Sequence, residues 1–279
     1  MMTGSSINIA SHKPHPLLEK YIRKISVFKS KGIINYTQKL TPTAFMYFTY
    51  HHEDIPPNII GNKKKYPDFR LQIDGPKINQ DTFIEYNGKL NRIMIEFSAS
   101  GFYYLFHKSP TKCVDQLCRL ENFFDNGEVL TLENELQALD NSESQIKIIQ
   151  EFLLELFYKA LPSSDYVENS LKIIDDNHGH ISIIELVKEL RVSKRQFDRQ
   201  FTKIVGVSPK RYSKILQLHY IINTMSQKKY SSIQDIANKS EFYDLSHFTH
   251  AFKELTGFSP VYFIKSNKHI ALKYFRDLD

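Results

Sequence analysis

Over the first hundred residues, apolar and aromatic positions come in short runs separated by Pro, Gly, Asn and Asp. Runs rich in Ile, Phe, Tyr and Thr span Ile22 to Phe28, Ile33 to Leu40, Phe45 to Tyr50, Phe69 to Ile73, Thr82 to Tyr86 and Arg92 to Phe97. That pattern predicts an antiparallel barrel or sandwich. Its aromatic residues, Phe45, Tyr47 and Phe48 among them, are expected in the sheet core. Beyond Ser98 the period lengthens: Phe102, Leu105 and Phe106 predict a short helix, and Ile146, Ile149, Leu153, Leu156 and Ala160 a longer amphipathic one. Ser142 and Gln145 have the spacing of a capping box at its start. The apolar face of this helix, from about Gln145 to Ala160, is a candidate dimer contact; packing on its own sheet is the equally simple alternative. Pro162-Ser163-Ser164-Asp165 halts the helix and marks a linker. The expected division is an N-terminal sensor or dimerisation domain, 1–162, and a C-terminal domain, 163–279.

After Asp165 every apolar stripe has helical spacing, and the pattern repeats. Ile183-Ile184-Glu185-Leu186-Val187, then Phe197, Phe201, Gly206-Val207-Ser208-Pro209 and Tyr212, has its counterpart in Ile233-Gln234-Asp235-Ile236-Ala237, then Phe248, Phe252, Gly257-Phe258-Ser259-Pro260 and Phe263. The first blocks are offset by 50 residues and the second by 51, so the second copy carries one extra residue in its internal turn. Each copy reads as a helix-turn-helix: a first unit at about 182–205, a connecting helix from Pro209 to Ser226, and a second unit at about 232–256. Ser193 is placed to cap the second helix of the first unit through a box with Gln196, with Val192 stapling onto Phe197. Asp244 caps the corresponding helix of the second unit, with Tyr243 stapling onto Phe248. Gly206 and Gly257 suit left-handed helix ends, and Ser-Pro starts the next helix in each case.

On an α-helix, with about 100° per residue, Phe197, Phe201 and Ile204 share one face and Arg195, Arg199 and Thr202 the opposite one. Lys194, Gln196 and Lys203 flank that polar stripe. In the second copy, Ser246, His250 and Lys253 take the equivalent places, with His247 alongside. These residue types suit double-stranded DNA: Arg makes bidentate contacts to guanine and Gln to adenine, while Lys and Thr hold phosphates.

The net charge of +6 is unevenly distributed. Between Arg191 and Arg276, 16 Lys or Arg stand against five acids, a net of +11, so the remainder of the chain carries −5. A basic half fits a polyanionic partner. With 41% apolar residues, no run of about 18 of them and no leader-like N-terminus, the expectation is a soluble, cytoplasmic protein. Cys113 and Cys118 have no second pair, so neither a disulfide framework nor a zinc site is indicated, and two ordinary reduced thiols are expected.

Asp235-Ile236-Ala237 and Phe242 to Lys253, followed by Gly257-Phe258-Ser259-Pro260, resemble the signature of the AraC/XylS family of transcription regulators, and the resemblance runs from about Ser163 to Asn267. It implies seven helices, a long connecting helix holding two units one DNA turn apart, an RNA polymerase partner and no cofactor. The chain departs from the family at Glu241, where glycine is usual, and at His250, where arginine is usual; these bear on the second turn and on the second unit's base contacts. His15-Pro16-Leu17-Leu18, Tyr21-Ile22, Asp74-Gly75-Pro76 and Ile93 to Phe97 through Leu105-Phe106 are similar to a sensor-like domain of unknown function found in some members. No ligand follows from that likeness; an unknown small-molecule effector and a homodimer are separate expectations for the N-terminal part.

Other readings are an architectural or partner-binding protein without an effector, and an enzyme with a DNA-binding appendage. Against the last, no phosphate loop, nucleophile elbow or paired cysteine motif is present, and neither a catalytic residue nor a metal ligand is expected. His51, His52, Glu53 and Asp54 stand together, but neighbouring strand residues face opposite ways and do not readily share an ion.

Overall fold

The computed structural model describes residues 7–52, 58–61, 64–65, 69–78, 82–228, 230–240, 242 and 244–266. Among these described residues, ten strands lie before residue 120: β1 (Ile7–His12), β2 (Ile22–Ser30), β3 (Ile34–Lys39), β4 (Tyr47–His51), β5 (Asn58–Gly61), β6 (Lys64–Lys65), β7 (Leu71–Asp74), β8 (Thr82–Gly88), β9 (Asn91–Phe97) and β10 (Leu117–Arg119). They form two antiparallel sheets, ordered β1-β2-β9-β4-β7-β10 and β3-β8-β5-β6. Three helices accompany them: α1 (Gly101–Phe106), α2 (Asn126–Gln137) and α3 (Ser142–Phe157). Seven more follow: α4 (Asp165–Asp176), α5 (Ile183–Glu189), α6 (Lys194–Val205), α7 (Pro209–Ser226), α8 (Ile233–Lys239), α9 (Leu245–Thr256) and α10 (Pro260–Ser266). The α+β expectation holds, and seven α-helices lie after residue 163 among the described residues.

Alternation along the strands gives the six-stranded sheet two different faces. One is apolar: Ile25, Val27, Ile93, Ile95, Phe97, Phe48, Tyr50, Leu71 and Ile73 form a core with residues of α1, α2 and α3. The other turns toward the second sheet, where Phe28, Met94 and Leu117 meet Ile34, Ile84 and Tyr86. Paired register puts Lys24, Glu96, Tyr47 and Asp74 in one row across this inner face, and Ser26, Met94, Thr49 and Gln72 in the next.

Three expectations are corrected here. α3 is capped by Asn141, whose Oδ1 accepts from the amide of Ser144 at 2.7 Å; no Ser142–Gln145 box forms, because the Gln145 amide instead donates to the carbonyls of Leu136 and Leu139 behind it. The α3 stripe proposed for dimer contact is occupied, since Ile146, Ile149 and Leu153 are buried in the apolar core of this chain. Phe45 is not in the sheet core: β4 begins two residues later, and Phe45 packs instead with residues of α4–α7. Strands β1, β5, β6 and β10 and helix α2 were not anticipated. His51 and His52 do face opposite ways, His51 being buried while His52 meets the Gln145 amide at 2.9 Å; Glu53 and Asp54 lie outside the described residues.

Candidate nucleic-acid interface

The two helical repeats fold as the local chemistry dictates. In the first, Ser182 caps α5, and Ser193 caps α6 by accepting from the amide of Gln196 at 3.2 Å. Among the described residues only that half of the expected box is made. Val192 packs against the same core as Phe197. Gly206 ends α6 at φ +92°, and Gly257 ends α9 at φ +77°, the left-handed region that Gly tolerates best. Ser208 and Pro209 then start α7, whose bounds are those read from sequence. Asp244 caps α9 by accepting from the amide of His247 at 2.7 Å; Tyr243 and Glu241 lie outside the described residues. The extra residue of the second copy sits in its turn, between α8 and α9.

Each unit is built on its own aromatic core. Phe197, Phe201 and Ile204 pack with Leu186, Val187, Tyr212 and Ile215. Phe248, Phe252 and Leu255 pack with Ile236, Ala237, Ile222 and Phe263. Helix α7 enters both: Ile215 and Leu216 belong to the first core, Leu218, Ile221, Ile222 and Met225 to the second. Its 18 residues correspond to about 27 Å at 1.5 Å per residue. Lys214 on α7 pairs with Glu254 on α9 at 3.2 Å, a further tie between the connecting helix and the second unit.

Burying the Phe stripe leaves the opposite polar stripe outward. Arg195, Gln196 and Arg199 are exposed, and among the described residues no acid pairs with either arginine. Lys194 is exposed but forms an ion pair with Asp198 at 2.5 Å, one turn along. Thr202 is half-buried. Lys203 turns toward the N-terminal part: its ammonium lies 5.7 Å from the Tyr103 ring centre, and its carbonyl accepts from the Ser109 hydroxyl at 2.7 Å. On α9, Ser246, His247, His250 and Lys253 are all exposed, although the His247 ring also leans on Phe242, centroids 5.3 Å apart. The ten residues thus lie on α6 and α9, nine of them exposed and Thr202 half-buried, with Lys203 in contact with the N-terminal part.

Sequence reasoning missed how the N-terminal part packs onto the helical part. Phe45, 2% exposed, presents its ring to Tyr212 and His219 on α7, with centroid distances of 6.2 and 5.9 Å, while the Arg23 guanidinium lies 4.0 Å from the ring centre. Arg23 is anchored by Glu96 at 2.5 Å, and the Tyr212 hydroxyl donates to Asp175 on α4 at 2.8 Å. His219 is half-buried and bonded to the carbonyl of Pro42; desolvation lowers its pKa to about 4, so it is neutral at pH 7. Although Asp175 as a whole is exposed, desolvation beside Tyr212 pushes its carboxyl up, with the Tyr212 hydrogen bond and Arg23 opposing. Elsewhere, Arg211 on α7 donates to the Ile78 carbonyl, and Lys39 on β3 lies 5.4 Å from the Phe258 ring centre. None of these contacts has a sequence signature, because each joins residues far apart in the chain.

Residues 186–266 match the family described as a helix-turn-helix domain. The uncharacterized HTH-type transcriptional regulator YidL of Escherichia coli (strain K12) is 24% identical over 175 residues, covering 57% of this chain; the match spans only 58% of YidL. Among solved structures, ToxT of Vibrio cholerae aligns with 94% of this chain and 98% of its own at 14% identity and a TM-score of 0.49. ToxT bound to (E)-4-(8-methylnaphthalen-1-yl)but-3-enoic acid aligns over 96% and 99%, at 15% identity and a TM-score of 0.48. Residues 186–266 of the chain therefore carry a helix-turn-helix domain.

Proposed function

We propose that the chain is a sequence-specific, DNA-binding transcription regulator whose α6 and α9 enter successive major-groove segments. One observation carries this reading above the others: two arginines, Arg195 and Arg199, stand exposed and, among the described residues, without acidic partners, on the outer face of a helix whose inner face is locked by two phenylalanines. An unpaired guanidinium fork one turn from another is suited to guanine edges and phosphates. The reading assigns DNA contact to Lys194, Arg195, Gln196, Arg199, Thr202 and Lys203 in the first unit, and to Ser246, His247, His250 and Lys253 in the second. Contact with RNA polymerase belongs to the same reading.

An effector site in the N-terminal part is the second element of the proposal. The inner sheet face is unusually polar for a buried surface, with Lys24, Ser26, Thr49, His51, Gln72, Arg92 and Glu96 all shielded from solvent. Buried polar atoms ordinarily find partners, yet Ser26 Oγ, His51 Nε2 and Arg92 Nε have no hydrogen bond among the described residues. Burial, with Arg92 and Arg70 nearby, lowers the pKa of His51 to about 3. A small polar effector between the sheets would satisfy such groups. Homodimerisation would need a surface other than the α3 stripe, and sedimentation of the full chain at micromolar concentration tests it.

Selection of bound fragments from genomic DNA tests the main claim. A preferred site bound at least about a thousandfold more tightly than random DNA at the same salt is expected. Equal affinity for every fragment would leave an architectural protein and remove the regulator.

A further inference from the structure

Cys113 and Cys118, which sequence spacing leaves as two separate thiols, meet in the fold. Cys113 ends the single helical turn Pro110–Cys113, Cys118 is the middle residue of edge strand β10, and their sulfurs are 3.0 Å apart in a shared S–H···S hydrogen bond. A disulfide bond needs about 2.05 Å, so roughly 1 Å of closure separates the two states. We propose that Cys113 and Cys118 form a reversible dithiol–disulfide site, oxidised by a hydroperoxide, whose state is transmitted to α6.

Lys77 supplies the electrostatics. This buried lysine donates from its ammonium to the Gln116 carbonyl at 2.7 Å, within the loop joining the two cysteines, and Asp74 and Asp115 are its nearby acids. The hydrogen bond with Cys113 holds the Cys118 thiol below its ordinary value, with Lys77 adding to the effect and burial opposing it. The same bond and burial push the Cys113 thiol up. Each sulfur lies beside the other, so either can attack the oxidant while its neighbour resolves the product, and the steps are the same with the roles exchanged.

The chemistry balances with hydrogen peroxide as the oxidant. The Cys118 thiolate attacks one peroxide oxygen and the O–O bond breaks; hydroxide leaves and takes up a proton, giving water and a sulfenic acid. The Cys113 sulfur displaces the sulfenic hydroxyl, which departs with the Cys113 proton as a second water, and the S–S bond forms. Two thiols and one peroxide become one disulfide and two waters, and a dithiol reductant reverses the change.

The connection to α6 is short. In the turn that Cys113 ends, Pro110 lies so close to Gly206 that a Cβ there would come within 2.7 Å of the proline, and the preceding Ser109 donates to the Lys203 carbonyl. On the other side, Lys77 forms a two-bond bridge with Thr43, two residues before Phe45. The loop cannot adjust by sliding, since Asp115 accepts from the Ile78 amide and the Cys113 carbonyl packs on Gly75 with no room for a Cβ. Drawing the sulfurs together therefore displaces the turn that braces the end of the reading helix.

The full-length protein tests this. Trypsin cleavage after Lys112 and Arg119 leaves both cysteines on one peptide. After peroxide treatment that peptide is expected to be lighter by two hydrogens, unreactive to alkylation, and restored by dithiothreitol. Cys113→Ser should leave a sulfenic acid on Cys118 that a cyclic dione captures. Cys118→Ser should likewise leave a single thiol that peroxide cannot convert to the intramolecular disulfide. Amide hydrogen exchange at 203–206 should rise several-fold in the oxidised chain. Both thiols remaining alkylatable after peroxide would overturn the redox site; unchanged exchange at 203–206 would overturn its link to α6.

Discussion

Replacing Phe45 by alanine probes the joint between the two halves of the protein. The ring is 2% exposed, stands against Tyr212 and His219 of the connecting helix, and carries the Arg23 guanidinium over its face. Truncating a buried Phe to Ala costs about 3–5 kcal/mol when the surroundings cannot collapse into the space. Collapse is hindered here, because Tyr212 is fixed by Asp175 and Arg23 by Glu96. The lost cation–π contact adds roughly 0.5–2 kcal/mol, so the loss should lie near the upper end of that range. The residue touches none of the proposed DNA contacts, so the effect on stability is read apart from DNA contact. Urea unfolding of Phe45→Ala beside the parent, with the midpoint and slope fitted for each, measures the loss. A loss below about 1 kcal/mol would refute the shared core, since it would mean that the ring rests on the helical half without being packed into it.

Arg195→Ala and Arg199→Ala should each weaken binding to the preferred site by about 1–3 kcal/mol and relax base choice in one half of it. Quantitative competition against random DNA checks this, and equal weakening on both would confine the two side chains to phosphates. Stability should also fall as the pH drops from 7 to 5. His219 and His51 bind protons at about 4 and about 3 in the folded chain but near 6.5 when unfolded, so above that value they cost nothing, and below it only the unfolded chain takes up the proton. Asp175 and Asp74, raised by desolvation, act in the opposite sense, so the clean readout is a difference. His219→Gln should lose about 2 kcal/mol less than the parent over that interval in urea titrations, and an identical loss would show that His219 is not held neutral.

Features written in local chemistry were legible, and features made by packing were not. The bounds of α7, the caps Ser193, Ser208 and Asp244, and the left-handed ends at Gly206 and Gly257 depend on residues a few positions apart, so spacing alone exposes them. Helix α2 was also locally encoded, by the Asp125–Glu128 capping box and the buried Val129, Leu132 and Leu136, but its many charged neighbours mask the stripe. Gln145 misled because its side chain serves carbonyls of the preceding helix and turn, not its own helix start. For Phe45 and the two thiols, only the path of the chain decides what they meet. On the two reading faces, residue types and helical phase were readable, whereas the turning of Lys203 toward Tyr103 required the N-terminal part.

Inserting five base pairs between the two halves of the preferred site tests the two-groove reading most directly. Helix α7 is bound into the core of each unit and fixes their separation, so both reading helices must approach the duplex from one side, on major-groove segments roughly 10 base pairs apart. Half a helical turn carries one of those segments to the far side. Footprinting and titration on the parent and inserted sites should show protection of only one half after insertion, and an affinity lower by at least about tenfold, as expected when the contacts of a whole unit are lost. Undiminished affinity with both halves still protected would contradict the rigid connection, and undiminished affinity with one half protected on either site would mean that a single unit engages DNA.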